Sequence, residues 1–141
     1  MSGNIAIGIQ DFSTIIQGNY FYIDKTPFIK EWWDCGDSAT LITRPRRFGK
    51  TLTMSMVEQF FSIDYAGRSD LFEHLAIWKE EKYRELQGTY PVISLSFARI
   101  KERDYEKTKQ KMCEVLRNIY IKFCYIKDSE KLTDADRAYY E

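Results

Sequence analysis

Histidine is nearly absent from these 141 residues: there is one, His74, beside three cysteines and three prolines. A Ser-His-Asp or Cys-His hydrolase would have to rest on His74 alone, and its setting in "LFEHLAIW" reads as a packed or half-exposed helix position. Cys35, Cys113 and Cys124 are odd in number, scattered and without a CxxC pair, so neither a disulfide framework nor a zinc site is indicated. Reduced, partly buried thiols in a cytosolic protein are the preferred reading. Surplus charge of either sign is missing too, since 21 Lys+Arg balance 21 Asp+Glu. No global field would therefore gather nucleic acid or anionic lipid, and any anion site must be local. The N-terminus lacks a basic leader, and no apolar run approaches the roughly 18 residues that a membrane span needs. The sequence reads as cytoplasmic, with no membrane partner.

What is present is an ordinary globular mixture, 44% hydrophobic and 30% charged, of a length that suits one domain. Pro27, Pro45 and Pro91 each fall at an element edge, and no internal repeat is visible. The run "YFYID" suits a strand or an extended arm. Thr26 and Pro27 then read as an N-cap and first helical position, with Gly36 as the stop and with Phe28, Ile29, Trp32 and Trp33 at helical spacing. Residues 39–43, "ATLIT", and residues 91–97, "PVISLSF", are short apolar runs without helical period, which predicts two buried strands. A helix is expected over about 50–61, with Leu52, Met56, Val57, Phe60 and Phe61 facing inward. Residues 62–70 read as a loop, and "LFEHLAIWKEEKYREL" as helical or broken-helical. The cleanest amphipathic pattern runs over about 104–126, and Thr133 with Asp136 resembles a capping box that starts another helix.

Between the first strand and its helix lies "RPRRFGKT", residues 44–51, with Arg44, Arg46, Arg47 and Lys50 packed into seven positions. Strand, loop and a helix opening on Gly49, Lys50 and Thr51 make the arrangement of a phosphate-binding loop. Backbone N–H groups of the loop and of the helix N-terminus would face the phosphates. Gly49 would let the main chain approach the anion, Lys50 would bridge the terminal phosphates, and the Thr51 hydroxyl would join the shell of a Mg²⁺ ion. Nucleotide contacts are thus expected from Pro45, Arg46, Arg47, Phe48, Gly49, Lys50, Thr51 and Leu52. In the GxxxxGK[ST] pattern the first glycine falls at position 44, where Arg44 stands, and Pro45 could supply the turn instead. Two other readings stay open: a nucleic-acid-binding segment with Phe48 as a stacking face, and a plain solvated charge run.

"YFYIDKT", "LITRPRRFGKTLTMSMVEQFF", "LFEHLAIW" and "YPVISLSF", in that order and spacing, resemble the N-terminal domain of the AAA-ATPase-like proteins of bacteria and archaea. The resemblance runs through nearly the whole chain from about Ile7. Arginine in place of the first glycine is typical of that family, which accounts for Arg44. The resemblance implies a P-loop ATPase that uses ATP and Mg²⁺, with Lys50 and Thr51 in catalytic roles, Thr51 on the metal, and Tyr22, Ile23 and Asp24 near the adenine. Members often carry a C-terminal nuclease-like domain of the PD-(D/E)xK type, which links them to nucleic acid only by association. The family's acidic strand is expected beyond residue 141, because no acid ends "PVISLSF".

The expected architecture is therefore α/β, a P-loop NTPase-type parallel sheet with flanking helices, as the incomplete N-terminal portion of one domain spanning 1–141. The expected function is nucleoside triphosphate binding through a variant Walker A loop, with no hydrolysis by this chain alone. Strand edges left uncovered would favour self-association or pairing with missing C-terminal segments. A basic nucleic-acid module and an interaction fragment docking through the aromatic arm and Trp32/Trp33 are the alternatives; core packing is the favoured account of the tryptophan pair.

Overall fold

The computed structural model describes residues 4, 5 and 7–138. It divides into two compact units, Met1–Val92 and Ile93–Glu141. The first carries α1 (Phe12–Gln17), α2 (Pro27–Cys35), α3 (Lys50–Phe61) and α4 (Glu81–Arg84), with single 3-10 turns at Ile63–Tyr65, Ser69–Leu71 and Ala76–Lys79. The second carries α5 (Tyr105–Lys122), a 3-10 turn at Cys124–Asp128 and α6 (Asp134–Ala138).

The expected α/β sheet does not form. Among the described residues the only β pairing is an isolated parallel bridge between Ser62 and Tyr90, and neither 39–43 nor 91–97 belongs to a ladder. Apolar composition favours an extended segment only where a neighbouring backbone takes up its N–H and C=O groups and a packed layer covers its side chains. Residues 39–43 make no backbone hydrogen bond to another described segment. Leu41 stays 85% exposed and Ile93 61%. The chain is a helical assembly, not a parallel-sheet P-loop fold.

The core of the first unit is aromatic. Phe12, Ile29, Met56, Phe60, Phe61, Leu71, Phe72, Ile77 and Tyr83 form one buried cluster. Phe72 stacks on Phe12 at 5.1 Å and meets Phe60 edge-on at 5.1 Å, in the offset and T-shaped geometries that ring quadrupoles favour. Trp33 stacks on Phe61 at 5.3 Å, and Trp32 meets the same ring edge-on while its Nε1 donates to Thr40 Oγ1 at 2.9 Å. The tryptophan pair thus packs against the core.

Local chemistry sets the helix ends. Asp11 caps α1, its Oδ2 accepting from Thr14 N at 2.8 Å, while Oδ1 accepts from Gln59 Nε2 at 2.7 Å on α3. Burial raises the Asp11 pKa, but the bonds from Ser13, Thr14 and Gln59 together outweigh it and hold the carboxyl below its ordinary value. The far end of α3 is sealed by the returning chain, with Gly88 N donating to Phe60 O at 2.8 Å and Tyr90 N to Phe61 O at 2.9 Å. Gly88 has φ 67°, and a Cβ there would lie 2.6 Å from Ala66 Cα. Only glycine fits that crossing.

In the second unit, α5 starts at its N-cap Asp104, which accepts from Lys107 N at 3.2 Å. Thr133 and Asp136 do form the reciprocal capping box, with Thr133 N donating to Asp136 Oδ2 at 3.1 Å and Asp136 N to Thr133 Oγ1 at 3.2 Å. The continuation of that helix over 139–141 lies outside the described residues. Cys35, Cys113 and Cys124 are free and all exposed, where partial burial was expected. Among the described residues, no helix is long and apolar enough to cross a membrane.

Candidate functional site: an uncapped helix in a cationic loop

The basic loop lies between residues 39–43 and α3. Its geometry turns on two left-handed residues, Arg47 at φ 71° and Gly49 at φ 75°. Such a φ suits glycine and is uncommon for arginine. Gly49 stands at the N-cap of α3 and offers no capping side chain, and the first turn of the helix holds no acid. The first backbone N–H groups of a helix have no partner within it. Twelve residues of aligned peptide dipoles then place partial positive charge at that end.

Cations surround it. Lys50 Nζ donates to the Arg44 carbonyl, which folds the loop back on itself. Lys25, from the "DKT" segment, donates from Nζ to the Phe48 carbonyl at 3.1 Å. Arg44, Arg46 and Arg47 are exposed. Among the described residues, none of these five cations forms an ion pair with a carboxylate. A groove of about 690 Å³ adjoins the loop, lined by Asp24 and Lys25, by Pro27, Phe28 and Glu31 from the start of α2, by 40–44, and by Phe48, Lys50 and Thr53. That volume lies in the range of small-molecule sites, and its walls mix apolar faces with charged groups of both signs, Lys25, Arg44 and Lys50 with Asp24 and Glu31 in one lining.

The sequence-derived residues separate into two groups. Asp24, Phe48 and Lys50 line the groove, and Pro45, Arg46, Arg47, Gly49, Thr51 and Leu52 complete the loop and the first turn of α3. Tyr22 is not among the groove's lining residues. Its ring meets Phe12 edge-on at 5.5 Å, and its hydroxyl lies 3.2 Å from Met56 Sδ. Burial, with a smaller contribution from the Asp24 charge, pushes the phenol up to about 12, against a lesser opposing bond from Lys25 N.

Asp24 serves the fold at both oxygens. Oδ1 accepts from Thr26 N at 2.8 Å and Thr26 Oγ1 at 2.6 Å, and Oδ2 accepts from Ala76 N at 2.7 Å. Thr26, at the N-cap of α2, makes no side-chain capping bond; its Oγ1 accepts instead from Ile77 N at 3.1 Å. The aspartate and threonine of "DKT" thus clasp the segment to the Ala76–Lys79 turn.

Sequence reasoning missed Lys25, Phe28 and Glu31. The usable signal was that "DKT" immediately precedes α2, so whatever positions the motif also positions the first turn of that helix. His74 stands exposed beside a separate small cavity with Ile16 and Asp70. No group of three or more His, Cys, Asp or Glu suited to a metal exists among the described residues.

Comparison with known proteins places this geometry in context. A family model described as "Predicted AAA-ATPase" matches residues 6–140. The chain is 33% identical over 113 residues to a protein of Azotobacter chroococcum mcd 1 named "Uncharacterized protein in vnfD 5'region", which covers 79% of this chain and 20% of that relative. The chain thus spans about a fifth of the relative's length. No solved structure matches. With residues 6–140 matched by that family model, nearly the whole length, the chain belongs to the Predicted AAA-ATPase family.

Proposed function

We propose that the chain binds the polyphosphate of ATP at the loop and the N-terminus of α3, with the nucleoside directed along the adjoining groove. The observation that carries this reading is a twelve-residue helix opening on Gly49 with no side-chain cap, amid five cations without a carboxylate partner among the described residues. Backbone N–H groups there would meet phosphate oxygens, and Lys50 would exchange its carbonyl partner for them. No parallel sheet is needed for this, because the donors belong to the helix end and the loop.

The residues present fit the phosphates better than they fit a resident metal. Thr51 offers one exposed hydroxyl, so Mg²⁺ would arrive with the nucleotide, held by phosphate oxygens and waters, with Thr51 as its protein contact. Bound in this way, Mg²⁺ would neutralise phosphate charge. Asp24, which lines the groove, already accepts three hydrogen bonds from Thr26 and Ala76, so its carboxylate is held first by the fold.

Lys50→Ala should abolish stabilisation by Mg-ATP. At ligand near 100 times its Kd the wild type gains about 2.7 kcal/mol that the variant lacks. Equal thermal shifts for the two proteins would sink the proposal. Phe48, 60% exposed beside Arg47, keeps a nucleic-acid reading in view. Single-strand binding that weakens steeply with salt yet ignores saturating ATP would favour it.

A further inference from the structure

The loop's second lysine comes from a distant part of the chain. Lys25 Nζ reaches the Phe48 carbonyl at 3.1 Å across 23 residues of sequence, and a Cβ on Gly49 would lie 2.9 Å from that nitrogen. The ammonium therefore rests against the residue from which α3 begins. We propose that Lys25 is a phosphate-binding residue, a second ammonium presented by the "DKT" turn to the same polyphosphate that Lys50 holds. This inference rests on the nucleotide reading above.

The presentation is built into the fold. On one side of Lys25, both Asp24 oxygens are bonded, to Thr26 and to Ala76 N. On the other, Thr26 is fully buried and accepts from Ile77 N. Lys25 N itself donates to the Tyr22 hydroxyl at 3.3 Å. With the backbone fixed on three sides and the ammonium already held at the Phe48 carbonyl, the side chain is partly ordered before it meets a ligand. A lysine ammonium has three donors, and the Phe48 carbonyl takes one of them.

Charge separates this role from that of a simple latch. A neutral donor would suffice to latch the Phe48 carbonyl, though by a weaker bond than an ammonium makes. Placing a fifth positive charge near Arg44, Arg46, Arg47 and Lys50, with no carboxylate paired to it among the described residues, adds like-charge repulsion. A polyphosphate entering the loop is a counterion for the whole set, and its bonds to both lysines are charge-assisted.

Two variants and one wild-type measurement test this. Lys25→Met removes the charge at similar length, and Lys25→Gln removes the charge but keeps a donor for the Phe48 carbonyl. Both are expected to weaken Mg-ATP and inorganic triphosphate by the same factor, roughly tenfold, the loss of one hydrogen bond to a charged group. A selective loss of ATP, or wild-type affinity in Lys25→Gln, would overturn the inference. Should either variant fail to fold, amine-selective labelling of the wild-type protein decides by mass spectrometry. Inorganic triphosphate is expected to protect Lys25 and Lys50 together. Protection of Lys50 with Lys25 still fully reactive refutes the role of Lys25 while sparing the nucleotide reading, whereas a wild type that binds no triphosphate removes both.

Discussion

Asp24 illustrates how one carboxylate can be read two ways. Its position in "YFYIDKT" suits a base-contacting arm, yet its oxygens accept three hydrogen bonds that join the start of α2 to the Ala76–Lys79 turn. Asp24→Ala should lower stability by about 1–3 kcal/mol, measured by urea denaturation, because donors on Thr26 and Ala76 lose their partner. If the carboxylate instead contacted the base, the variant would lose ATP affinity and spare inorganic triphosphate. Two further residues bound the pH range. Asp11 is held below its ordinary value when folded, so its stabilising contribution is present above the unfolded carboxylate pKa and disappears as pH falls through the folded one. Tyr22 is raised to about 12, so its contribution is intact below pH ~10 and drains away as pH rises toward that value. Stability followed across pH should therefore fall on an acid limb that Asp11→Asn flattens and an alkaline limb that Tyr22→Phe flattens. Limbs unchanged in the variants would refute both assignments.

Among the elements, α3 joins site and core. Its first turn faces the loop, while Met56, Gln59, Phe60 and Phe61 are buried further along. Its far end depends on Gly88, where a side chain would strike the Ala66 backbone at a φ that β-carbon residues avoid. Gly88→Ala should cost about 1–3 kcal/mol in chemical denaturation. A change within a few tenths of a kcal/mol would show that the crossing relaxes freely. Helix α5 behaves otherwise. Its apolar face was evident from spacing, but it buries no residue completely, and Met112 and Leu116 stay 39% and 43% exposed. The period of a helix is set locally, whereas its coverage depends on what packs against it.

Across the whole molecule, burial is concentrated in one unit. Every buried apolar side chain among the described residues except Phe123 lies in Met1–Val92. Local opening is cheapest where few apolar contacts hold a segment. Amide exchange should therefore be slower in α3 than in α5, although α5 is the longer helix. Equal protection of the two would contradict the division. Phe72, fully buried between Phe12 and Phe60, sets the scale of the core. Phe72→Ala should remove about 3–5 kcal/mol from the first unit, and a loss under about 1 kcal/mol by denaturation would show that the aromatic cluster repacks.

Local sequence determined the longer helices and several of their ends, whereas α1 (Phe12–Gln17) gave no such signal. Pro27 with Gly36, Asp104 and the Thr133/Asp136 pair act within a turn of their own positions, so their chemistry is legible without a fold. The cationic loop was legible for the same reason, as five of its residues, Arg46 to Lys50, are contiguous. Tertiary structure alone decided the rest. Residues 39–43 and 91–97 have strand-like composition, but a strand exists only through a neighbouring backbone, and no ladder forms here. Tyr22 looked like part of a site and went to the core because Phe12 and Met56 surround it. Lys25 looked like an ordinary surface lysine in a motif, and only the clasp of Asp24 and Thr26 onto the Ala76–Lys79 turn brings its ammonium to Phe48, 23 residues away. Contacts over that separation depend on where distant segments are held, which no local spacing encodes.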